Sequence, residues 1–341
     1  MKEPINKKIL FLGYRPYLSS ILYQLNGTPF LRENSIDIIF ATPSSKSLFQ
    51  SFKKIISGRK FMRALREFMI KTDNLIYANQ KKEILKTIFP EKDLSFLNKK
   101  INISIFPFRG LENLDNLEEY DFLIVASFGI KIPKDIFNKP KGRTLNIHPS
   151  YLPGLRGGYP TYVEAFKNEI FSGTTIHYME SGWDNGDIVL QERYKVQNTP
   201  TNQKRMHLSA STASKMLNDL HKNGFQLTTI KQDKSKASYC HKIVRYKSFL
   251  GDIDQNLEGY VRANHSRSLY PFTYGFYRGF LVSILNIQLF SDNNESTGYK
   301  FFRKKNILFL KHNGKLYLVT EYIYKGKMHK HYEKAKNDLI V

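Results

Sequence analysis

One cysteine and one tryptophan occur in 341 residues. Cys240 alone cannot form an internal disulfide, so nothing cross-links the chain and a reducing compartment suits it. No apolar run approaches the roughly 18 residues of a membrane span, so no membrane partner is expected. Phosphate-cradling glycine loops are missing as well. Neither G-x-x-x-x-G-K-[ST] nor a G-x-G-x-x-G after the first strand is found, which leaves nucleotide and nicotinamide cofactors unsupported. Without C-x-x-C or H-E-x-x-H, no zinc or other metal is expected. Residues 1–7, ahead of the first strand, are too short for a secretory signal or transit peptide. Acidic residues are scarce beside basic ones, 30 against 53, for a formal net charge of +23.

That excess is spread along the chain. Residues 237–341 hold 17 basic and 8 acidic side chains, net +9, which leaves +14 for residues 1–236. Such a charge favours polyanionic partners, nucleic acid first and membrane surface second. Residues 46–71 carry Lys53, Lys54, Arg59, Lys60, Arg63 and Arg66. The plain reading of such a run is a solvated helix face. Its sign agrees with the whole chain, which makes Lys53, Lys54, Arg59 and Lys60 candidates for phosphate contact. Contacts of that kind give affinity and position rather than sequence discrimination. Lys300, Arg303, Lys304 and Lys305 form a second candidate patch.

Strand-like runs over 8–13, 36–41, 101–106, 121–126 and 144–148 alternate with helical stretches near 17–25, 46–71 and 81–89. Alternation of this kind indicates βαβ units. Strands near 174–179 and 188–196 and a helix over 206–222 follow. Residues 224–237 are polar and read as a linker. Beyond them come short strand-like runs with turn signals such as Asn313-Gly314. The fold class expected is α/β, a Rossmann-like, mostly parallel sheet with a second, small β-rich unit of OB-like barrel type. The boundaries expected are 1–205 for the catalytic domain, 206–236 for helix and linker, and 237–341 for the carboxyl-terminal unit.

Two stretches carry chemistry. In Asn146-Ile147-His148-Pro149-Ser150, side chains two apart share a strand face, so Asn146 and His148 project together. Pro149 cannot donate to a ladder and ends the strand. The carboxyl rim of a parallel sheet is where open α/β folds bind ligands. In Gly182-Trp183-Asp184-Asn185-Gly186, the glycines permit a sharp turn that presents Asp184 inward. An amide, an imidazole and an acid can together stabilise an oxyanion and move a proton, as acyl transfer requires. A lone histidine before a proline is more often structural; the company of Asn146 and Asp184 reverses that.

These residues resemble the formyltransferase family that uses 10-formyltetrahydrofolate. The resemblance runs through residues 146–153, Arg156-Gly157, Pro160, Ser172–Ile176 and Asp184–Asp187. Ser127-Phe128-Gly129 with Ile132-Pro133 is similar to the methionyl-tRNA formyltransferases within that family. Gln232, Ala237, Tyr239, Lys242 and Ile243, and then Arg262-Ala263, are similar to the opening of their second domain. Ile307-Leu308, Asn313-Gly314 and Gly326-Lys327 are most similar to the mitochondrial branch.

The resemblance implies transfer of a formyl group from 10-formyltetrahydrofolate, as co-substrate, to the α-amine of initiator methionyl-tRNA. Catalytic roles then fall to Asn146, His148 and Asp184, with a protonated His148 stabilising the oxyanion and Asn146 donating to the carbonyl. Asp184 would raise the histidine's pKa and route the amine proton. Ser150, Tyr151, Leu152, Pro153, Gly182 and Gly186 would line the pteridine pocket, though each reads equally as a turn. Arg156 would approach the acceptor or pair with a surface acid. Trp183 would shield the folate or simply pack. A monomer in the mitochondrial matrix is expected, with a bacterial cytoplasm as the alternative compartment. The alternative activity is sugar-nucleotide N-formyltransferase. A hydrolase passing the formyl group to water, and an RNA-binding protein on a retired transferase scaffold, complete the readings.

Overall fold

Alternation within one strand sets both faces of the first sheet. β1 (Lys8–Tyr14) sends Ile9 and Phe11 to one side and Leu10 and Leu12 to the other, and all four are buried. Burial on both faces is the mark of a parallel sheet covered by helices. The computed structural model describes residues 6–14, 16–41, 58–88, 94–100, 102–196, 201–240, 247–265, 271–292 and 297–331.

β2 (Ser35–Ala41), β3 (Ile103–Pro107), β4 (Phe122–Ala126) and β5 (Thr144–His148) lie parallel to β1, in the order β3-β2-β1-β4-β5. β6 (Phe171–Tyr178) and β7 (Ile188–Lys195) then extend the sheet antiparallel. The chain leaves β1 toward β2 and returns to its other side at β4, so strand order reverses between β1 and β4. Such a switch point opens a crevice at the strands' carboxyl ends. On one face, helices Tyr17–Gln24 and Asn202–Lys222 pack Leu18, Ile21, Ala213 and Leu217 onto Ile9, Phe11 and Ile147. On the other, Leu117, Ile132 and Phe137 cover Leu10, Leu12, Leu123 and Val125. Helix Asn202–Lys222, expected as the start of a connecting region, therefore belongs to this unit's core.

The β-rich unit comprises β8 (Thr273–Tyr277), β9 (Phe280–Ser291), β10 (Tyr299–Lys304), β11 (Ile307–His312), β12 (Lys315–Tyr324) and β13 (Lys327–Lys330), all antiparallel. The path β10-β11-β12-β9-β8, with β13 on β12, makes a half-barrel of the expected β-rich type. Its two-residue loops Arg278-Gly279, Lys305-Asn306, Asn313-Gly314 and Lys325-Gly326 have positive φ at both positions. That is the type I′ geometry matching strand twist. Helix Leu257–Asn264 plugs the unit with Leu257, Tyr260 and Val261 against Val282, Leu310 and Val319. Its far side sets Ala263 on Tyr162 and Ala165, and Arg262 Nε donates to the Ala165 carbonyl at 3.1 Å. This helix, which periodicity did not disclose, joins the two units.

Helices Gly58–Ile76 and Ala78–Ile88 also reach the β-rich unit. Arg66 pairs with Asp252 at 2.9 Å and lies 4.3 Å over the Phe249 ring, and Ile84 and Leu85 pack on Phe272, Leu285 and Ile323. Arg59 and Lys60 fall in the first turn of the longer helix, whereas Lys53 and Lys54 lie outside the described residues. Among the described residues, no helix is long and apolar enough to cross a membrane.

The β1–β4 pair is tight at Gly13, where an added Cβ would run into the Ala126 carbonyl, a backbone atom that cannot swing aside. Gly13→Ala is expected to cost about 1–3 kcal/mol as overpacking, measured as a lowered urea midpoint. An unchanged midpoint would mean the strands part more easily than their packing implies.

Candidate active site

Leu145 and Ile147 of β5 enter the core, so Asn146 and His148 take the opposite face, the one that carries Val125. The turn after β6 brings Asp184 back over that face. Asp184 itself has φ 47, a left-handed conformation that aspartate tolerates better than most residues. Gly186 allows the turn to close, because a Cβ there would collide with the Tyr178 carbonyl.

Separate segments converge on the Asp184 carboxylate. Asn146 Nδ2 donates to Oδ1 at 3.1 Å, and the Gly157 backbone N–H donates to Oδ2 at 2.6 Å. His148 Nδ1 stands 3.6 Å from Oδ2, and His177 Nε2 stands 3.6 Å from Oδ1. The neighbours fix the proton positions. His177 Nδ1 must donate to the Tyr178 carbonyl (2.8 Å), so in the neutral ring Nε2 accepts from Asn146 Nδ2 at 3.0 Å. Asn146 therefore spends its N–H bonds on His177 and Asp184, and donation to a substrate carbonyl requires one to be released. His148 Nε2 donates to the Leu155 carbonyl at 2.9 Å, which leaves the Nδ1 lone pair of the neutral ring facing Asp184.

Burial works against the Asp184 anion, but the positive charge His148 takes up in acid, together with His177 and the Gly157 N–H, outweighs it and holds the carboxyl well below the usual range. For His148, burial lowers the pKa despite the opposing pull of Asp184 and the Leu155 carbonyl; His177 lowers it further. The expectation of an imidazolium sustained by Asp184 thus gives way to a neutral ring. His148 is only 4% exposed, and desolvation exceeds the attraction of one carboxylate 3.6 Å away.

A cleft of about 520 Å³, open to solvent, lies beside this cluster, with Asn146, His177 and Asp184 in its lining and Val125, Phe128 and Trp183 around them. Of the residues expected to line a donor pocket, Gly182 is in the lining of this cleft. Ser150, Tyr151, Leu152, Pro153 and Gly186 instead build the frame. Ser150 Oγ donates to the Gly154 carbonyl, Gln191 donates to the Leu152 carbonyl, and Ser238 N–H donates to the Pro153 carbonyl. Tyr151 lies beneath Arg193, with the guanidinium 6.0 Å from its ring. Arg156 is buried and donates to Gln232 Oε1 through Nη2 at 2.6 Å and Nε at 3.2 Å, so it meets neither a surface acid nor the cleft lining. Cys240 is buried, with its thiol pushed up to about 12 chiefly by burial, and its Sγ donates to the same Leu155 carbonyl as His148. Such a thiol is unreactive. His177 and Gln232 were not singled out as site residues from the sequence. The alternation Thr175-Ile176-His177, with Ile176 buried in the core, is the signal that would have put His177 on the face of Asn146.

Among the described residues, no group of three metal-ligating side chains gathers. The Asp184 carboxylate yields a stability prediction. Asp184→Asn loses a charge-assisted bond and is expected to cost about 1–3 kcal/mol at pH 7. Because the folded carboxyl titrates below its unfolded value, that contribution is complete above roughly pH 4 and fades as pH falls further. Urea denaturation of both proteins at pH 7 and pH 3 should show the gap narrowing. A gap that widens toward acid would contradict an ionised Asp184.

Residues 98–219 match the model of the formyl transferase family. The methionyl-tRNA formyltransferase of Ehrlichia ruminantium (strain Welgevonden) is 31% identical over 191 residues, 55% of this chain and 61% of that protein. The namesake from Geobacillus sp. (strain WCH70) is 35% identical over 154 residues, 44% of this chain and 47% of that one. The Clostridium tetani (strain Massachusetts / E88) protein of the same name is 28% identical over 230 residues, 62% and 73% of the two chains. The chain thus spans about three-fifths of the length of the Ehrlichia relative. Among solved structures, the sugar 3N-formyl transferase WlaRD has a TM-score of 0.55 at 17% identity, covering 94% of this chain and 98% of its own. An N-formyltransferase from Helicobacter canadensis has a TM-score of 0.53 at 15% identity, covering 92% and 98%. At those identities the likeness is one of fold. The segment that holds Asn146, His148, His177 and Asp184 is, by sequence, a match to the formyl transferase family.

Proposed function

We propose that this chain moves a formyl group from 10-formyltetrahydrofolate to the α-amine of initiator methionyl-tRNA. The observation that carries the reading is an ionised Asp184 carboxylate in the lining of an open cleft, with the buried, neutral His148 behind it, within a segment matching formyl transferases. The names of the curated relatives and the charge of +23 favour a tRNA acceptor over a small amino sugar.

In this reaction the neutral amine attacks the formyl carbon. Its oxygen becomes an oxyanion and its nitrogen becomes cationic. The Asp184 carboxylate faces the developing positive charge. An Asn146 N–H, released from Asp184 or His177, serves the oxyanion, and losing one such donor typically costs about 2.7–4 kcal/mol of barrier. The proton travels to the Nδ1 lone pair of His148, where Asp184 stabilises the imidazolium formed. Cleavage of the bond between the formyl carbon and the folate nitrogen completes transfer, and that nitrogen takes up a proton. His148 therefore begins as base rather than as cation.

Acceptor binding is assigned to the basic surfaces. Lys300, Arg303, Lys304 and Lys305 lie exposed along β10 and the turn after it, and Arg59 and Lys60 open the helix that reaches the β-rich unit. Lys53 and Lys54 join them on charge alone. The mitochondrial matrix remains the compartment proposed, on resemblance and charge.

Incubation with 10-formyltetrahydrofolate and charged initiator tRNA should yield formylmethionyl-tRNA. His148→Ala should lower kcat by about 10²–10⁴-fold, and binding of uncharged tRNA should weaken steeply with salt. Formylation of an amino-sugar nucleotide, with tRNA refused, would overturn the acceptor and favour the sugar-nucleotide reading.

A further inference from the structure

The stretch 224–237, whose polarity reads as a linker, runs back across the site. Ile230 exchanges two backbone bonds with Ile188, at 2.8 and 2.9 Å. Further on, Arg156 N–H donates to the Ser238 carbonyl at 2.8 Å, and Cys240 N–H donates to the Arg156 carbonyl at 3.0 Å. Between these anchors lies Gln232, 9% exposed. Its Nε2 donates to the Asp184 carbonyl at 2.9 Å and to the Gly186 carbonyl at 2.7 Å. Its Oε1 accepts from the Arg156 guanidinium. The amide orientation is chemically fixed, since carbonyls only accept and a guanidinium only donates.

We propose that Gln232 is a positioning residue for Asp184, fastening the 182–186 turn to the loop at 155–157 so that the carboxylate is held over Asn146 and His148. This rests on the reading given under Proposed function. Asp184 occupies a left-handed backbone conformation, which a restraint on the turn holds in place. Gln232 supplies it at the residue's own carbonyl. The loop it fastens to is a partner of the site twice over, through the Gly157 N–H on Asp184 and the Leu155 carbonyl on His148. Both loops are thus tied by a single side chain, on the segment leading toward the β-rich unit. The geometry of the reacting groups depends on that segment even for chemistry that involves no tRNA.

Gln232→Glu separates the two arms. A carboxylate keeps, and improves, the pairing with Arg156, but it has no N–H for the carbonyls of Asp184 and Gly186. The variant should fold. Misplacement of the carboxylate should lower kcat by about 10²-fold, while KM for both substrates changes less than about threefold, as for a contribution made in the transition state. Trp183, the sole tryptophan, sits on the restrained turn beside Asp184. Its time-resolved anisotropy should gain a fast component in the variant, with or without substrate. A merely structural role for Gln232 would lower thermal stability and leave both readouts of the folded protein unchanged, which would overturn the proposal. Should Gln232→Glu fail to fold, Arg156→Met combined with Gln232→Met removes the buried cation together with its partner and should show the same fast component. If the wild-type protein transfers no formyl group, the functional reading falls, while the Trp183 measurement still decides whether Gln232 restrains the turn.

Discussion

A carboxylate kept ionised while only 12% of its side chain is exposed is the constraint that organises this molecule. Removing such an anion from water costs several kcal/mol unless donors and partners surround it. Asp184 finds donors in Asn146 on β5 and in the Gly157 N–H of the loop after β5. Neither of these groups is near it in sequence. The parallel sheet, the antiparallel extension through β6 and the turn that follows are together what brings them within reach.

Charge distribution then shapes the chemistry. Asp184 takes the negative charge and His148 stays neutral, so the pair stands ready to receive a proton rather than to release one. The Leu155 carbonyl contributes by fixing the imidazole proton on Nε2. Without that bond the lone pair could face either way. Beyond the site, helix Leu257–Asn264 ties the β-rich unit to the α/β unit. A basic surface on the second unit can therefore present an acceptor in a fixed relation to the first.

Much of this was legible in residue order, for identifiable reasons. The strand period put Asn146 and His148 on one face, and the two glycines marked the turn at Asp184. Continuous apolar runs disclosed β1 and β4, and Asn313-Gly314 disclosed a hairpin. His177 escaped because its role depends on cross-strand register, in which Asn146 opposes His177. That register follows from an antiparallel pairing that a mostly parallel reading does not supply. Gln232 escaped because its partners lie 46 to 76 residues away. A polar residue in a polar stretch looks like linker until both loops fold onto it. The charge state of His148 was misjudged because burial, which a sequence does not report, outweighs the neighbouring carboxylate.

Nitrogen-15 NMR of the histidine rings across a pH titration is the most direct test, because it reads the protonation and tautomer of His148 itself. A neutral ring at pH 7, protonated on Nε2 and titrating below the ordinary histidine value of about 6.5, is the result expected beside an ionised Asp184. An imidazolium at pH 7, or a neutral ring with its proton on Nδ1, would contradict it.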